Sequence, residues 1–374
     1  MIPDGIRERI RASVLGRYDI DTTAAGIAAF VRAEEPLLAD ADVAALAAEV
    51  AADLGGLGPL DGLLADPSVT EVLVNAGVVW VERDGELHRL PDGLDAASVT
   101  RVVERIVGPL GLRVDRASPV VDARLPDGSR VCVVIPPVAV DGVCLAVRRF
   151  AATPIGLDSF CDPKVETLLR ATVSDRKNVL VAGGASAGKT TLLNALAGEI
   201  PGTERVVTIE DAAELRLPQP HVVRLEARPP NAEGAGAVSV RSLLRAALRL
   251  RPDRIVVGEV RDGAALDMLQ ALNTGHAGSF STCHANGATD ALRRVETMAL
   301  MGDVDLSLAA VREQIAAAVD VVVTVARVGA GRRRVVEVAE VVEPGPSGWT
   351  ARPLAAGDAV VAEAHRPSRR GEAR

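Results

Sequence analysis

Asn178–Ile200 reads NVLVAGGASAGKTTLLNALAGEI. A short apolar run, NVLVAG, passes into a small-residue loop and then into a segment of good helix formers, so the stretch predicts strand, loop and helix in that order. Gly183–Thr190, GGASAGKT, fits the pattern G-x-x-x-x-G-K-[ST] at the place between strand and helix where that pattern has physical meaning. Glycine permits the backbone turns that aim successive N–H groups inward, and the helix N-terminus adds positive potential for phosphate. Gly183, Gly184, Ala185, Ser186, Ala187, Gly188, Lys189, Thr190 and Thr191 are therefore expected to hold the phosphates of ATP. Lys189 is expected to reach the β- and γ-phosphates and the Thr190 hydroxyl to ligate Mg²⁺. Ser186 stands where a glycine is common, which requires either a negative φ or an accepted left-handed backbone at that residue.

Outward from the loop, strand and helix patterns alternate, as in a largely parallel sheet. RVVTIED, HVVRLEA and RIVVGEV supply strands, SVRSLLRAALRLR an amphipathic helix, and DVVVTVARV with RRRVVEVAEVV a closing β-pair. The predicted fold class is α/β, a RecA-like P-loop NTPase domain over 159–343, preceded by a small α+β N-terminal domain over 58–150. Strands are expected at Thr70–Asn75, Val78–Arg83, Arg130–Pro136 and Val143–Phe150, with a helix near Ala97–Leu110. Residues 1–57 read as an Ala-rich helical segment closed by LGGLGP, and 151–158 as a linker. From Pro344 the chain turns Pro-, Ala- and Arg-rich, so 344–374 is expected to be a tail, disordered after about Ala364.

Hydrolysis also needs carboxylates. Glu259 follows the strand RIVVG seventy residues after Lys189, where it would hold the Mg²⁺ shell or orient water. Glu210, Asp211 and Glu214 form a second acidic cluster, which the residues alone leave open between site acids and a helix N-cap. His276 and His284 flank an expected strand and would bond phosphate or a carboxylate, or serve structure. A zinc site with Cys283 is disfavoured because neighbours on a strand face opposite ways. Charge developing on the γ-phosphoryl group calls for further cations. Arg124, Arg130 and Arg148 are expected to approach the nucleotide when the N-terminal domain closes, against the alternative of solvated strand-edge arginines; Arg148 and Arg149 cannot both point inward.

Composition narrows the partners. Only 2% of residues are aromatic and the net charge is −8, which argues against base stacking and general attraction to nucleic acid. The competing readings are a RecA-like DNA-translocating ring ATPase and a non-catalytic nucleotide-binding scaffold. The four cysteines, Cys132, Cys144, Cys161 and Cys283, form no C-x-x-C pair and read as scattered thiols. No signal-peptide pattern and no apolar run of spanning length is seen, so a cytoplasmic protein is expected.

PVVDARLPDGSRV (119–131), LEARPPNAEGAGAVSVRSLLRAALRLRPDRIVVGEVRD (225–262) and ALNTGHAGSFSTCHAN (271–286) carry a resemblance. Over about Leu60–Glu343 the chain resembles the secretion ATPases of type II and type IV systems and of type IV pili, and within them the tight-adherence (Flp) pilus ATPases, CpaF or TadA. The resemblance implies that Lys189 and Thr190 are the Walker A pair and Glu259 the Walker B acid. It makes Glu210, Asp211 and Glu214 an "Asp box" with Glu214 activating water, and His276 and His284 a "His box". It further implies ATP and Mg²⁺ as cofactors and a homo-oligomer, a hexameric ring moving inner-membrane platform proteins from the cytoplasmic face. The family's usual GGTGSGKT appears here as GGASAGKT, and the tetracysteine module of many type II enzymes is absent.

Overall fold

The computed structural model describes residues 4–15, 23–83, 85–125, 127–149, 155–230, 235–302, 304–329, 332–346 and 348–369. They form two compact units, Met1–Ala151 and Ala152–Arg374.

The first unit opens with α1 (Asp4–Leu15), α2 (Ala24–Glu34) and α3 (Asp40–Gly55), which close on Ile10, Val14, Ile27, Val31, Leu46 and Val50. A 3-10 turn and the short α4 (Asp61–Ala65) lead into β1 (Val69–Asn75), β2 (Val78–Arg83), β3 (Glu86–Arg89), α5 (Ala96–Val107), β4 (Val120–Arg124), β5 (Arg130–Val134) and β6 (Cys144–Arg148). The strands pair antiparallel in the order β3-β2-β1-β6-β5-β4. Alternation places Val72, Val74, Val131, Val133, Leu145 and Val147 on one face, where the Val and Ile stripe of α5 covers them. The other face is mixed, with Glu71, Arg130 and Arg148 beside Leu73, Trp80, Cys132 and Ala146. One of these strands, β3, lies outside the sequence expectation: all four of its residues are exposed, so it carries no alternating pattern.

The second unit contains α6 (Pro163–Ser174), β7 (Val179–Gly183), α7 (Lys189–Gly198), β8 (Val206–Glu210), β9 (Val222–Glu226), α8 (Val240–Ala247), β10 (Arg254–Val257), α9 (Ala264–Leu272), β11 (Phe280–His284), α10 (Ala288–Leu300), α11 (Leu308–Ala318), β12 (Val321–Val328), β13 (Arg332–Gly345), β14 (Gly348–Ala356) and β15 (Ala359–Val360). They build a nine-stranded sheet ordered β15-β14-β13-β12-β7-β11-β10-β8-β9. From β12 to β9 every neighbour is parallel, and β13, β14 and β15 add antiparallel. The central strands β7, β8 and β10 are buried throughout, and two apolar cores lie on opposite faces, one with α6 and α7, the other with α8 to α11. The α/β class, with a RecA-like domain preceded in the chain by an α+β N-terminal domain, holds.

Three boundaries differ from the sequence expectation. The linker reading of 151–158 falls partly outside the described residues, and Leu157 is fully buried in the second unit's core. β13 runs past Glu343 to Gly345 and pairs with β14, and β15 follows, so the sheet continues beyond Pro344. Beyond Ala364 the chain is still held. Arg366 donates to Asp320 Oδ1 (3.0 Å) and to Ala316 O (2.7 Å), and Arg369 pairs with Asp320 Oδ2 at 2.8 Å. Two buried acids, Asp320 and Glu340, need these partners, and composition alone conceals that. No helix among the described residues is long and apolar enough to cross a membrane.

Candidate active site

β7 ends at Gly183, and the loop that follows passes into α7 at Lys189. Glycine is obligatory at 183 because a Cβ there would stand 2.6 Å from the Val325 carbonyl of the neighbouring β12. Ser186 adopts φ +55° and Gly188 φ +97°. Left-handed residues of this kind turn N–H groups toward a common centre, the arrangement that cradles an anion. The structure thus takes the strained alternative at Ser186, a conformation glycine adopts freely and serine does not.

The ends of the parallel strands converge on Lys189. Its side chain is buried; Nζ donates to Gly184 O at 2.9 Å and stands 3.2 Å from His284 Nδ1. His284, the last residue of β11, places Nε2 3.1 Å from Glu259 Oε1, close enough to pair but without hydrogen-bond alignment. Burial and the adjacent Lys189 cation push the His284 pKa down, against the pull of Glu259. Glu259 Oε2 in turn accepts from Arg261 Nε (2.9 Å) and Nη2 (2.7 Å), and Arg261 Nη1 lies 3.8 Å from Asp211. Lysine, histidine, glutamate and arginine form one chain from the start of α7, past the end of β11, to the loop after β10.

Glu210 closes the next strand. Its Oε1 accepts the backbone N–H groups of Glu214 (2.8 Å) and Leu215 (2.9 Å), so it sets the path of the acidic loop. Its Oε2 is buried without a partner. Burial raises its pKa to about 7, despite those two donors. Gly258, just before Glu259, makes room for it: a Cβ there would come within 2.9 Å of Glu210 Cγ. Asp211, Glu259 and Arg261 also line a cleft of about 470 Å³ together with Arg241 and Met301.

A model of the family described as type II/IV secretion system protein matches residues 53–365. The chain belongs to that family. Its relatives in this type II/IV secretion family include a protein named for conjugal transfer in Mycobacterium tuberculosis, 42% identical over 81% of this chain and 89% of the relative. The type IV secretion system protein PtlH of Bordetella pertussis is 37% identical over 74% of this chain and 91% of its own. Among solved structures, the Legionella pneumophila ATPase DotB aligns over 75% of this chain and 78% of that one, with TM-score 0.54 and 20% identity, a likeness of fold. As a member of the type II/IV secretion family, the chain is an ATPase and a secretion-system protein.

Within this secretion ATPase, Lys189, Glu259 and His284 come together in one cluster, with Glu210 and Glu214 on the adjoining strand and loop. His276 does not join them. It precedes β11, at the opposite end of the strand from His284, and its Nδ1 lies 3.1 Å from Ala271 O in the last turn of α9. Eight residues of separation include a whole strand, which carries the two rings to opposite edges of the sheet. In the first unit, Arg124, Arg130 and Arg148 are cross-strand partners in one row over β4, β5 and β6, on the face away from α5. Arg149 turns the other way and donates to Val69 O at 3.0 Å. Sequence reading missed Arg261 as a partner of Glu259, although it stands two residues away. It also missed Arg327, which donates from Nε to Ser186 O at 3.0 Å, because nothing local links 327 to 186.

Proposed function

We propose that this secretion ATPase binds ATP at Gly183–Thr191 and hydrolyses it at the carboxyl ends of β7, β8, β10 and β11. The observation that carries the reading is the continuous chain from Lys189 through His284 to Glu259 and Arg261 beside a left-handed loop. Lys189 would leave the Gly184 carbonyl to neutralise the β/γ-phosphate oxygens as they gain charge. Glu214, held by its backbone to Glu210, would orient the attacking water. His284, sitting between Lys189 and Glu259, would register whether Lys189 is engaged by phosphate. The Thr190 hydroxyl and the Glu259 carboxylate are hard oxygen donors that would hold Mg²⁺, which would supply positive charge to stabilise the phosphates. The row Arg124, Arg130 and Arg148 would supply further cations from the N-terminal unit, its planar guanidinium groups suited to phosphate oxygens. The enzyme would act as a hexameric ring on inner-membrane platform proteins of a tight-adherence (Flp) pilus system, at the cytoplasmic face of the membrane.

The test replaces Glu259 and Glu214 by Gln, which keeps shape and removes charge. Both variants are expected to bind ATP within a few-fold of wild type and to lose about 100-fold or more in turnover. Loss of binding in both with the fold intact would make them structural acids. Hydrolysis stimulated by DNA and indifferent to membrane partners would favour a DNA-translocating ring instead.

A further inference from the structure

We infer that Arg327 is a positioning residue of the phosphate loop: by fixing the Ser186 carbonyl it holds the left-handed turn that this sequence builds without glycine. The inference rests on the reading of Gly183–Thr191 as the ATP site. Three observations carry it. Ser186 has φ +55°, a conformation disfavoured for a residue with a Cβ. Its carbonyl oxygen accepts from Arg327 Nε at 3.0 Å, a charged donor arriving from a distant strand. Arg327 is itself fixed in register, opposite Arg333 in the β12–β13 pair, and Arg333 lies over the second left-handed residue of the loop. A Cβ on Gly188 would stand 2.6 Å from Arg333 Cδ. The hairpin therefore braces the loop from its outer side at both turning residues.

The physical consequence concerns the direction of the peptide groups. A loop that cradles phosphate must keep its N–H groups inward, which requires the carbonyls at its turning residues to point outward. Water can accept this duty at a glycine turn, since glycine suffers no penalty in the left-handed region. At Ser186 the turn is intrinsically disfavoured, and the guanidinium bond offsets that penalty. The arginine acts on ATP through the loop, so the defect on its removal should depend on which residue occupies 186.

The experiment compares wild type, Arg327→Ala, Ser186→Gly and the double variant, with Arg332→Ala as an exposed hairpin control and Lys189→Ala as a reference for the site itself. Affinity for a non-hydrolysable ATP analogue and KM and kcat for ATP are read, with melting temperature as a check on folding. Arg327→Ala is expected to weaken binding and raise KM about tenfold, the scale of one charged hydrogen bond, with kcat changed less than KM. Ser186→Gly should bind like wild type, and in the Arg327→Ala background it should restore affinity to within about threefold. Wild-type affinity in Arg327→Ala would overturn the inference. So would an equal defect with Ser or Gly at 186, which would mean that Arg327 acts on the nucleotide directly. If Lys189→Ala also bound and hydrolysed like wild type, the reading of the loop as the ATP site would fail instead.

Discussion

The two ends of the parallel strands both bury charge and treat it in opposite ways. At the amino ends of the strands, Arg254 is 1% exposed and donates to both oxygens of Glu204 (2.8 and 2.9 Å) and to the Val173 carbonyl (3.0 Å). Arg176 joins Glu204 at 2.5 Å, and Asp320 collects the backbone N–H of Asn178 together with Arg366 and Arg369. Among the described residues of that cluster, Arg176 Nε is the one buried polar side-chain atom left without a partner. At the carboxyl ends, Glu210 Oε2 has none, Glu259 Oε1 is close to His284 without alignment, and a lysine and a histidine stand 3.2 Å apart. Burial of charge alone therefore does not mark a site; at the carboxyl ends the unpaired atoms are carboxylate oxygens beside a crowded lysine and histidine, a set whose missing partners a ligand would supply.

That contrast predicts a division of labour, and each variant below tries to break it. Glu204→Gln leaves Arg254 and Arg176 buried without a countercharge. It should lower unfolding free energy by roughly 4 kcal/mol while turnover per folded molecule stays within twofold, measured by denaturant unfolding and phosphate release. A large kinetic defect in well-folded Glu204→Gln would erase the division.

Glu210 gives a pH signature of the opposite edge. Its folded pKa of about 7 stands above the ordinary value of 4.5, so the folded state holds the proton more tightly. The resulting stability is fully present below about pH 4.5 and is lost as pH rises through about 7, a span of roughly 3 kcal/mol. Glu210→Gln should remove that dependence, so that the variant gains on wild type between pH 5 and pH 8 in unfolding midpoints. Parallel curves for the two proteins would place Glu210 in an ordinary environment. A smaller effect, about 2 kcal/mol, is expected for Arg366→Ala, which removes one of several partners of Asp320. No change there would mean that the chain beyond Ala364 contributes nothing to the fold.

What could be read in the sequence followed the range of the signal. Asn178–Ile200 announces strand, loop and helix within twenty-three residues, and RIVVGE places Glu259 at a strand tip by the same local logic. The row of Arg124, Arg130 and Arg148 was visible as a density of arginines, and only the strand register shows that they share one face. Pairings between distant segments left no trace. β14 reads GWTARPLAA, with a proline inside it and no regular alternation of buried residues, and the tail beyond Ala364 is held by buried acids at 320 and 340 that sequence distance hides. His276 misled for a related reason: a motif spacing gives separation along a strand, and here that separation spans the sheet.

Function and stability separate between the two ends of the strands, and Lys189→Ala set beside Glu204→Gln shows it in one pair of variants. Phosphate release and melting temperature are measured on both purified proteins. Lys189→Ala is expected to lose about 1,000-fold in hydrolysis with melting unchanged within a few degrees, and Glu204→Gln to show the reverse pattern. Hydrolysis that survives in Lys189→Ala would contradict that separation.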